Sequence, residues 1–543
     1  MLDKIECVCK YISKGNPGVR VSDGFDAVLI GAGHNALACA VHLAAKGWKV
    51  GVFEAAAQPG GAVRTGEYTR PGFRHDWAAM NLSLFAGSAF FKAHGAKLQA
   101  RGLAFAPATD CFASVFPGGR WLGVSTDLEV TAARIAAVSA RDAATWRALV
   151  AAFPAEAAHV FALLGSPMAM RAGASFLYRL IRARGVAGAL DLGRFLLSSP
   201  RRWLDETFET PELRAMLAAW GMHLDFAPDM AGGAVFPWLE AMANQSFGMV
   251  LGQGGADCII HAMVAEIEAA GGRVECNAPV ARIVHRGGRA TGVVLADGRE
   301  VAARRAVIAG VAPGALVRLT GGTPAPRFDA AMARFDHAPG TMMIHLALSD
   351  LPDWAAGPEL RRFAYVHIAP SLEQMARTYA QARAGLLPDE PVIVVGQPTV
   401  VDPGRAPEGK HVLWMQVRMA PGTILGDASG TIAARDWAGA AEPFAERALD
   451  LLEAHAPGLR GKILGRRIVT PLDLAADNAN LVGGDQICGS HHLAQNFLFR
   501  PARGYADGST PIRDLHLTGA AVWPGAGTGA GSGFLLARKL AGA

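Results

Sequence analysis

Short apolar runs punctuated by glycine organise both ends of this chain. Phe25-Asp26-Ala27-Val28-Leu29-Ile30 is almost continuously apolar and too short for a helix, which predicts a strand buried on both faces. It runs straight into Gly31-Ala32-Gly33-His34-Asn35-Ala36. Ala36 to Ala45 is rich in Ala and Leu and predicts a helix, which Gly47 ends. Lys49 to Phe53 predicts a second strand, terminating in Glu54. Near the other end, Leu515 to Ala520 predicts a strand, Pro524 to Gly533 a glycine loop, and Phe534 to Leu540 a helix. Between them, Cys258 to Ala270 reads as a helix and Arg273 to Cys276 as a strand. Val280–His285 and Ala290–Leu295 read as a hairpin about Arg286-Gly287-Gly288-Arg289, and Ala306 to Gly310 as a buried strand. This is the layout of a β-meander that returns the chain to a central sheet.

The rest of the pattern differs. Ala86 to Gln245 is mostly helical, with Phe161–Leu164, Phe176–Ile181 and Leu213–Met222 as amphipathic or buried stretches. Thr341–Leu348, Pro391–Val395 and His411–Met419 read as strands, and Ile432–His455 as a helix ended by Pro457-Gly458. The expected organisation is a split unit of 24–85, 246–320 and 465–543, a second unit of 86–245 and 321–464, and an N-terminal extension over 1–23.

Composition narrows this picture. At 543 residues the chain predicts about two to four structural units of roughly 100–200 residues each. Apolar residues make up 51% and charged ones 18%, a globular profile without disorder. The net charge of +5 is scattered, which fits surface solvation and gives no reason to expect a nucleic-acid partner; attraction to anionic lipid or an acidic partner is the alternative. Cys7, Cys9, Cys39, Cys111, Cys258, Cys276 and Cys488 are odd in number and dispersed, and no C-x-x-C occurs. No disulfide framework, redox pair or metal site is expected, and a reducing, cytoplasmic setting is. No apolar h-region lies in Met1–Arg20 and no uncharged apolar run of about 18 residues occurs, so neither a secretory signal nor a spanning helix is expected.

The glycines point to a dinucleotide. Gly31 permits the turn off the strand, Gly33 lets the backbone approach a pyrophosphate, and Ala36 stands where close helix–strand packing is the only demand. The helix start offers unpaired N–H groups and a positive dipole end. Glu54 ends the next strand, where a carboxylate binds ribose hydroxyls. Gly60-Gly61-Ala62-Val63-Arg64 then departs from an ordinary NAD fingerprint: a Gly-Gly turn lays N–H groups on a phosphate, and Arg64 offsets its charge or approaches a flavin. The terminal strand–loop–helix leaves no room before Ala543 for a second strand and acid. It is expected to bring N–H groups to the same ligand, which makes FAD the expected cofactor.

Taken together, these segments resemble the phytoene-desaturase-like flavin oxidoreductases, in the subgroup that includes the animal pyridine nucleotide-disulphide oxidoreductase domain-containing protein 2. The resemblance rests on Gly31 to Leu37 with its His34-Asn35, and on Glu54 through Gly60-Gly61 and Arg64 to Pro71-Gly72-Phe73. It rests further on Gly254-Gly255 through Val280-Ala281-Arg282-Ile283 to Asp297-Gly298, and on Gln495 through Arg500-Pro501 and Thr510-Pro511 to the terminal loop. It implies an α/β fold: a glutathione-reductase-like Rossmann FAD-binding domain with an inserted α+β substrate domain. It also implies Val280 near the adenine, Gly519 and Ala520 near the flavin, and Gly529 and Gly531 at the diphosphate. Ala36 and the unusually glycine-rich Gly527–Gly533 depart from the family pattern.

The implied activity is desaturation, dehydrogenation or isomerisation of an apolar, polyene or lipid-like substrate. A flavin amine oxidase and a non-catalytic FAD-stabilised interaction protein are the alternatives. Phe153, Phe161, Met168, Met170, Phe176, Phe236 and Trp238 read as core, or else as a lipid-like tunnel. Tyr178 to Arg184, with Phe195–Leu197 and Arg201-Arg202 after it, reads as a solvated helix face, or else as a peripheral membrane contact. His75, Asp76, His223, Asp225, His491 and His492 are acid–base candidates, none assigned, because hydride transfer to a flavin demands no particular side chain. The oligomeric state is left open.

Overall fold

The computed structural model describes residues 24–542; the N-terminal extension, with Cys7 and Cys9, lies outside them. The first of two seven-stranded sheets is centred on Phe25–Ile30. That strand pairs in parallel with Val50–Phe53 on one side and with the second half of Glu300–Ala309 on the other. Arg273–Glu275 and Leu515–Leu517 extend the parallel set at its two edges. The first half of Glu300–Ala309 pairs antiparallel with Arg289–Leu295, which pairs with Val280–Arg286. One long strand thus feeds both the parallel sheet and the meander. The hairpin turns at Gly287 and Gly288, at φ 57° and 71°, a conformation without penalty only for glycine.

The helix His34–Ala45 is buried from Asn35 to Ala44, between Cys258–Ala269 and the terminal helix Gly531–Ala541. Gly533 makes the terminal contact: a Cβ there would lie 1.8 Å from the carbonyl oxygen of Asn35. Gly533→Ala is therefore expected to force the helices apart at a cost of about 1–3 kcal/mol or more, read as a lower denaturant midpoint. An unchanged midpoint would contradict the contact.

The second sheet runs in the order Ile463–Val469, Gly340–Leu348, His411–Ala420, Val392–Gly396, Tyr365–Ile368, Asp110–Phe116, Arg120–Ser125. Strand alternation divides its faces. Met342, Ile344, Leu346, Met415, Val417, Ile393 and Val395 pack under the helix Trp437–His455. Met343, Trp414, Tyr365, Val392 and Val394 face the helices Pro211–Met222 and Val235–Phe247.

Three features depart from the sequence pattern. The segment read as mostly helical contains the strands Asp110–Phe116 and Arg120–Ser125, and the first of these pairs in parallel with Tyr365–Ile368, far along the chain. The boundary expected at 465 falls inside Ile463–Val469, which pairs with Gly340–Leu348. The helix expected from Ile432 begins at Trp437, because Asp436 takes the cap and accepts the Gly439 N–H at 2.8 Å. In addition, one helix among the described residues, Ala140–Leu164, is long and apolar enough to cross a membrane by length and composition, where none was expected. It seats Trp146, Phe153, Ala157 and Val160 in the core.

A buried ion group ties together segments remote in the chain. The Arg405 side chain, 0% exposed, pairs with Asp76, also 0% exposed, and with Asp402 at 3.0 Å. It also donates to the Gly252 carbonyl at 2.7 Å. Asp76 in turn accepts from Thr65 Oγ1 and the Ala256 N–H, both at 2.7 Å.

Candidate functional site

Gly31 leaves the first strand at φ 86°, its N–H held by the Phe53 carbonyl at 2.8 Å. Gly33 is the helix cap, with no side-chain cap bond. The first intrahelical bond is Leu37 N–H to the Gly33 carbonyl at 3.0 Å, so the opening turn has N–H groups to spare. Glu54, on the next strand's end, accepts from the N–H groups of Ala32 at 2.7 Å and Ala56 at 2.9 Å.

The chain's last segment meets this loop directly. Gly519 N–H donates to Ser532 Oγ, and Ser532 Oγ donates to Asn35 Oδ1, both at 3.0 Å. His34 Nε2 lies 3.1 Å from the Gly527 carbonyl. Burial pushes the imidazole down to about 4 against the pull of that carbonyl, so the ring is neutral at pH 7.

A cavity of about 730 Å³ opens between this junction and the second sheet. Gly31, Gly33, Ala36, Glu54, Gly60, Gly61, Arg64, Val280, Gly519 and Ala520 all line it. Gly529 and Gly531 do not: a Cβ at Gly529 would meet the Leu84 carbonyl at 3.3 Å, and one at Gly531 would meet Pro524 at 2.7 Å. These two glycines pack the loop, and Gly527 and Thr528 take their place on the wall. Arg64 is not free to meet a phosphate alone. It is ion-paired with Asp477 and donates to the Gly61 carbonyl at 2.9 Å. At Gly33 and at Gly519 a Cβ would meet nothing within 4 Å, so both ends of the chain leave open space where a dinucleotide's backbone contacts would lie. The residues present fit such a group.

The far wall was not foreseen. Trp414, Gln416 and Arg418, at alternate positions of one strand, face the cavity together with Tyr365, Trp220, His223 and Glu240. Tyr365 and Trp414 lie nearly parallel, 13° apart with centroids 5.7 Å apart. A glutamine and an arginine inside an otherwise apolar strand were the available signal. Of the acid–base candidates only His223 reaches this wall, with Nε2 3.1 Å from His367 Nε2. Asp76 is committed to Arg405, Asp225 accepts from Ser490, and His491 accepts the Ala526 N–H at 3.1 Å. None of Phe153, Phe161, Met168, Phe176, Phe236 and Trp238 lines the cavity. Phe153 and Trp238 are core residues, edge to face at 5.2 Å.

Burial pushes the Glu240 carboxyl up to about 7, against a hydrogen bond from Asn244. Its folded pKa exceeds its unfolded one, so folding takes up a proton between about pH 4.5 and 7. The stability this group lends is present at the acid end and is lost as the pH climbs through that window. Glu240→Gln is thus expected to gain on the unaltered chain between about pH 5 and about pH 8. Denaturant unfolding at the two pH values checks this; a constant gap would place the carboxyl in solvent.

Comparison with known proteins agrees with this geometry. Residues 37–422 match the model of the family described as flavin containing amine oxidoreductase. The rat pyridine nucleotide-disulfide oxidoreductase domain-containing protein 2 is 28% identical over 93% of this chain and 91% of its own. The neurosporene-forming phytoene desaturase of Cereibacter sphaeroides is 26% identical over 93% and 92%. The crystal structure of an oxidoreductase from Methanosarcina mazei superposes with a TM-score of 0.60 at 18% identity, over 94% of this chain and 99% of that one. This chain belongs to the flavin containing amine oxidoreductase family and is an FAD-dependent oxidoreductase with a mixed α/β fold.

Proposed function

We propose that FAD lies along this cavity and that the chain desaturates, dehydrogenates or isomerises a largely apolar substrate against the wall of the second sheet. The observation that carries the reading is the convergence of Gly33 and Gly519, from opposite ends of the chain, on one open cavity whose far side is Trp414, Tyr365 and Trp220. In this reading Glu54 takes the ribose hydroxyls, and the opening turn at Gly33–Ala36 takes the diphosphate. Val280 borders the adenine, Gly60 and Gly61 add N–H groups, and Gly519 and Ala520 border the flavin. The finer fold is glutathione-reductase-like, supported by a parallel sheet whose long strand Glu300–Ala309 also ends a meander. The chain divides into a split cofactor unit and an inserted substrate unit, with Ile463–Val469 assigned to the latter.

Bound FAD supplies a hydride acceptor. The protein's own part is to orient the substrate C–H bond and to exclude water. Trp414, Tyr365, Trp220 and Met80 supply the apolar surface. His223, neutral and hydrogen-bonded to His367, positions the wall. Exposed Leu177, Tyr178 and Leu190 beside Arg179 and Arg182 fit a peripheral lipid contact through which an apolar substrate arrives.

One observation favours a second reading. The Glu240 carboxyl shares its wall with Trp220, Tyr365 and Trp414, a setting that also suits an ammonium group. The visible spectrum of the purified protein and the mass of its released cofactor come first. Anaerobic bleaching across polyenes, amines and fatty compounds then tests the substrate. Bleaching by the apolar compounds supports the proposal, and amine turnover with peroxide release replaces it with the second reading. Flavin that no substrate or reductant alters replaces both with a non-catalytic role.

A further inference from the structure

Arg418 is 5% exposed and lines the cavity, yet among the described residues it forms no ion pair. Its Nη1 donates to Thr341 Oγ1 at 2.9 Å, and its Nη2 donates to the carbonyls of Met222 at 3.1 Å and His223 at 2.8 Å. These bonds fix the guanidinium plane and leave Nε–H without a partner. The acids that act on it do so only through space. Asp225 accepts from Ser490, and Asp485 accepts the N–H groups of Ala338 at 3.0 Å, Ile487 at 2.9 Å and Gly489 at 2.6 Å. The neighbouring amide of Gln416 is also used, donating to the Ala78 carbonyl and to Gln486.

A buried guanidinium on a cavity wall, with no ion-pair partner among the described residues, is costly unless the occupant brings negative charge. A neutral hydrocarbon would leave that charge uncompensated. We propose that the substrate is an acid, an apolar body ending in a carboxylate, and that Arg418 receives the carboxylate while the body lies along Trp414 and Tyr365. This rests on the reading that cofactor and substrate share the cavity. It replaces a fully neutral substrate with an amphipathic one. A charge-assisted bond in a dry site is short and directional, so it holds one end of the molecule and sets which carbon faces the flavin.

The test uses the flavin-loaded protein and three probes with one carbon skeleton: geranate, geraniol and geranylamine. Binding is read from the change in the flavin's visible absorbance. Geranate is expected to bind roughly 10- to 100-fold more tightly than geraniol. Arg418→Leu should erase that preference while keeping the flavin content, and Arg418→Lys should restore part of it. Equal binding of geranate and geraniol by the unaltered protein overturns the inference, whether or not the leucine variant folds. A preference for geranylamine overturns it in favour of an amine. An Arg418→Leu protein that keeps both its flavin and the preference for geranate overturns it too. Failure of the underlying reading looks different: no flavin in the purified protein, or a spectrum that none of the probes perturbs.

Discussion

Arg405→Ala is expected to remove about 3–5 kcal/mol of stability. The reason is what stays behind. Asp76 and Asp402 would remain buried, and both keep neighbours that fix them in place: Thr65 and Ala256 for Asp76, and the Gly254 N–H, at 2.6 Å, for Asp402. Removing the guanidinium would leave that buried negative charge uncompensated. Against a total stability of about 5–15 kcal/mol the loss is a large fraction. Arg405→Lys should recover only part of it, because an ammonium cannot reach Asp76, Asp402 and the Gly252 carbonyl at once as the planar guanidinium does. The denaturant midpoint measures both variants. A loss below about 1 kcal/mol for the alanine variant would mean that water reaches the group. Flavin retention should fall along with stability, because Asp76 is followed closely by Ala78–Asn81 on the cavity wall.

Gly33→Ala is expected to do the opposite, leaving the fold intact and weakening FAD binding. Gly33 sits at φ −68° and ψ 157°, which any residue adopts, and its Cβ would meet nothing within 4 Å. Stability should stay within about 1 kcal/mol, with a small gain from the stiffer unfolded chain. The added methyl group stands where the proposed diphosphate would approach the backbone. Crowding of that kind costs about 1–3 kcal/mol, or roughly 10- to 100-fold in affinity. Apoprotein titrated with FAD reads the loss, and the unfolding midpoint reads the fold. Undiminished binding by Gly33→Ala would mean that the diphosphate lies elsewhere. The pair Gly33→Ala and Gly533→Ala is informative because the chemistry is identical and the surroundings are not: open space at one, a carbonyl oxygen at 1.8 Å at the other.

The glycine junction near the amino end is legible in the sequence because its information is local. A strand, a glycine turn and a helix start are contiguous, so Gly31, Gly33 and Glu54 declare themselves by spacing. The terminal loop could be read as a partner to them, and the Asn35–Ser532–Gly519 chain of hydrogen bonds is the form that partnership takes. Local reading erred where packing chose among similar residues. Nothing in a run of glycines distinguishes Gly527, on the cavity wall, from Gly529 and Gly531, spent on Leu84 and Pro524. The second sheet was only partly visible, because Asp110–Phe116 acquires its strand character from Tyr365–Ile368, a partner remote in sequence.

The assembly of the cavity's far wall was decided by tertiary structure. Trp220 and Glu240 come from two helices, Tyr365 from one strand and Arg418 from another, and no spacing along the chain relates them. Of the aromatic residues that looked like a tunnel in sequence, Phe153 and Trp238 are core and Phe161 is exposed, because apolar side chains carry no mark of whether a cavity, a neighbour or solvent will cover them. The sequence by itself determined the glycine turns at Gly31 and Gly33 with their flanking strand and helix, since backbone turns are specified by the residues that make them. Folding alone decided what faces them across the cavity, since burial of a charge such as Arg418 is a property of everything that surrounds it.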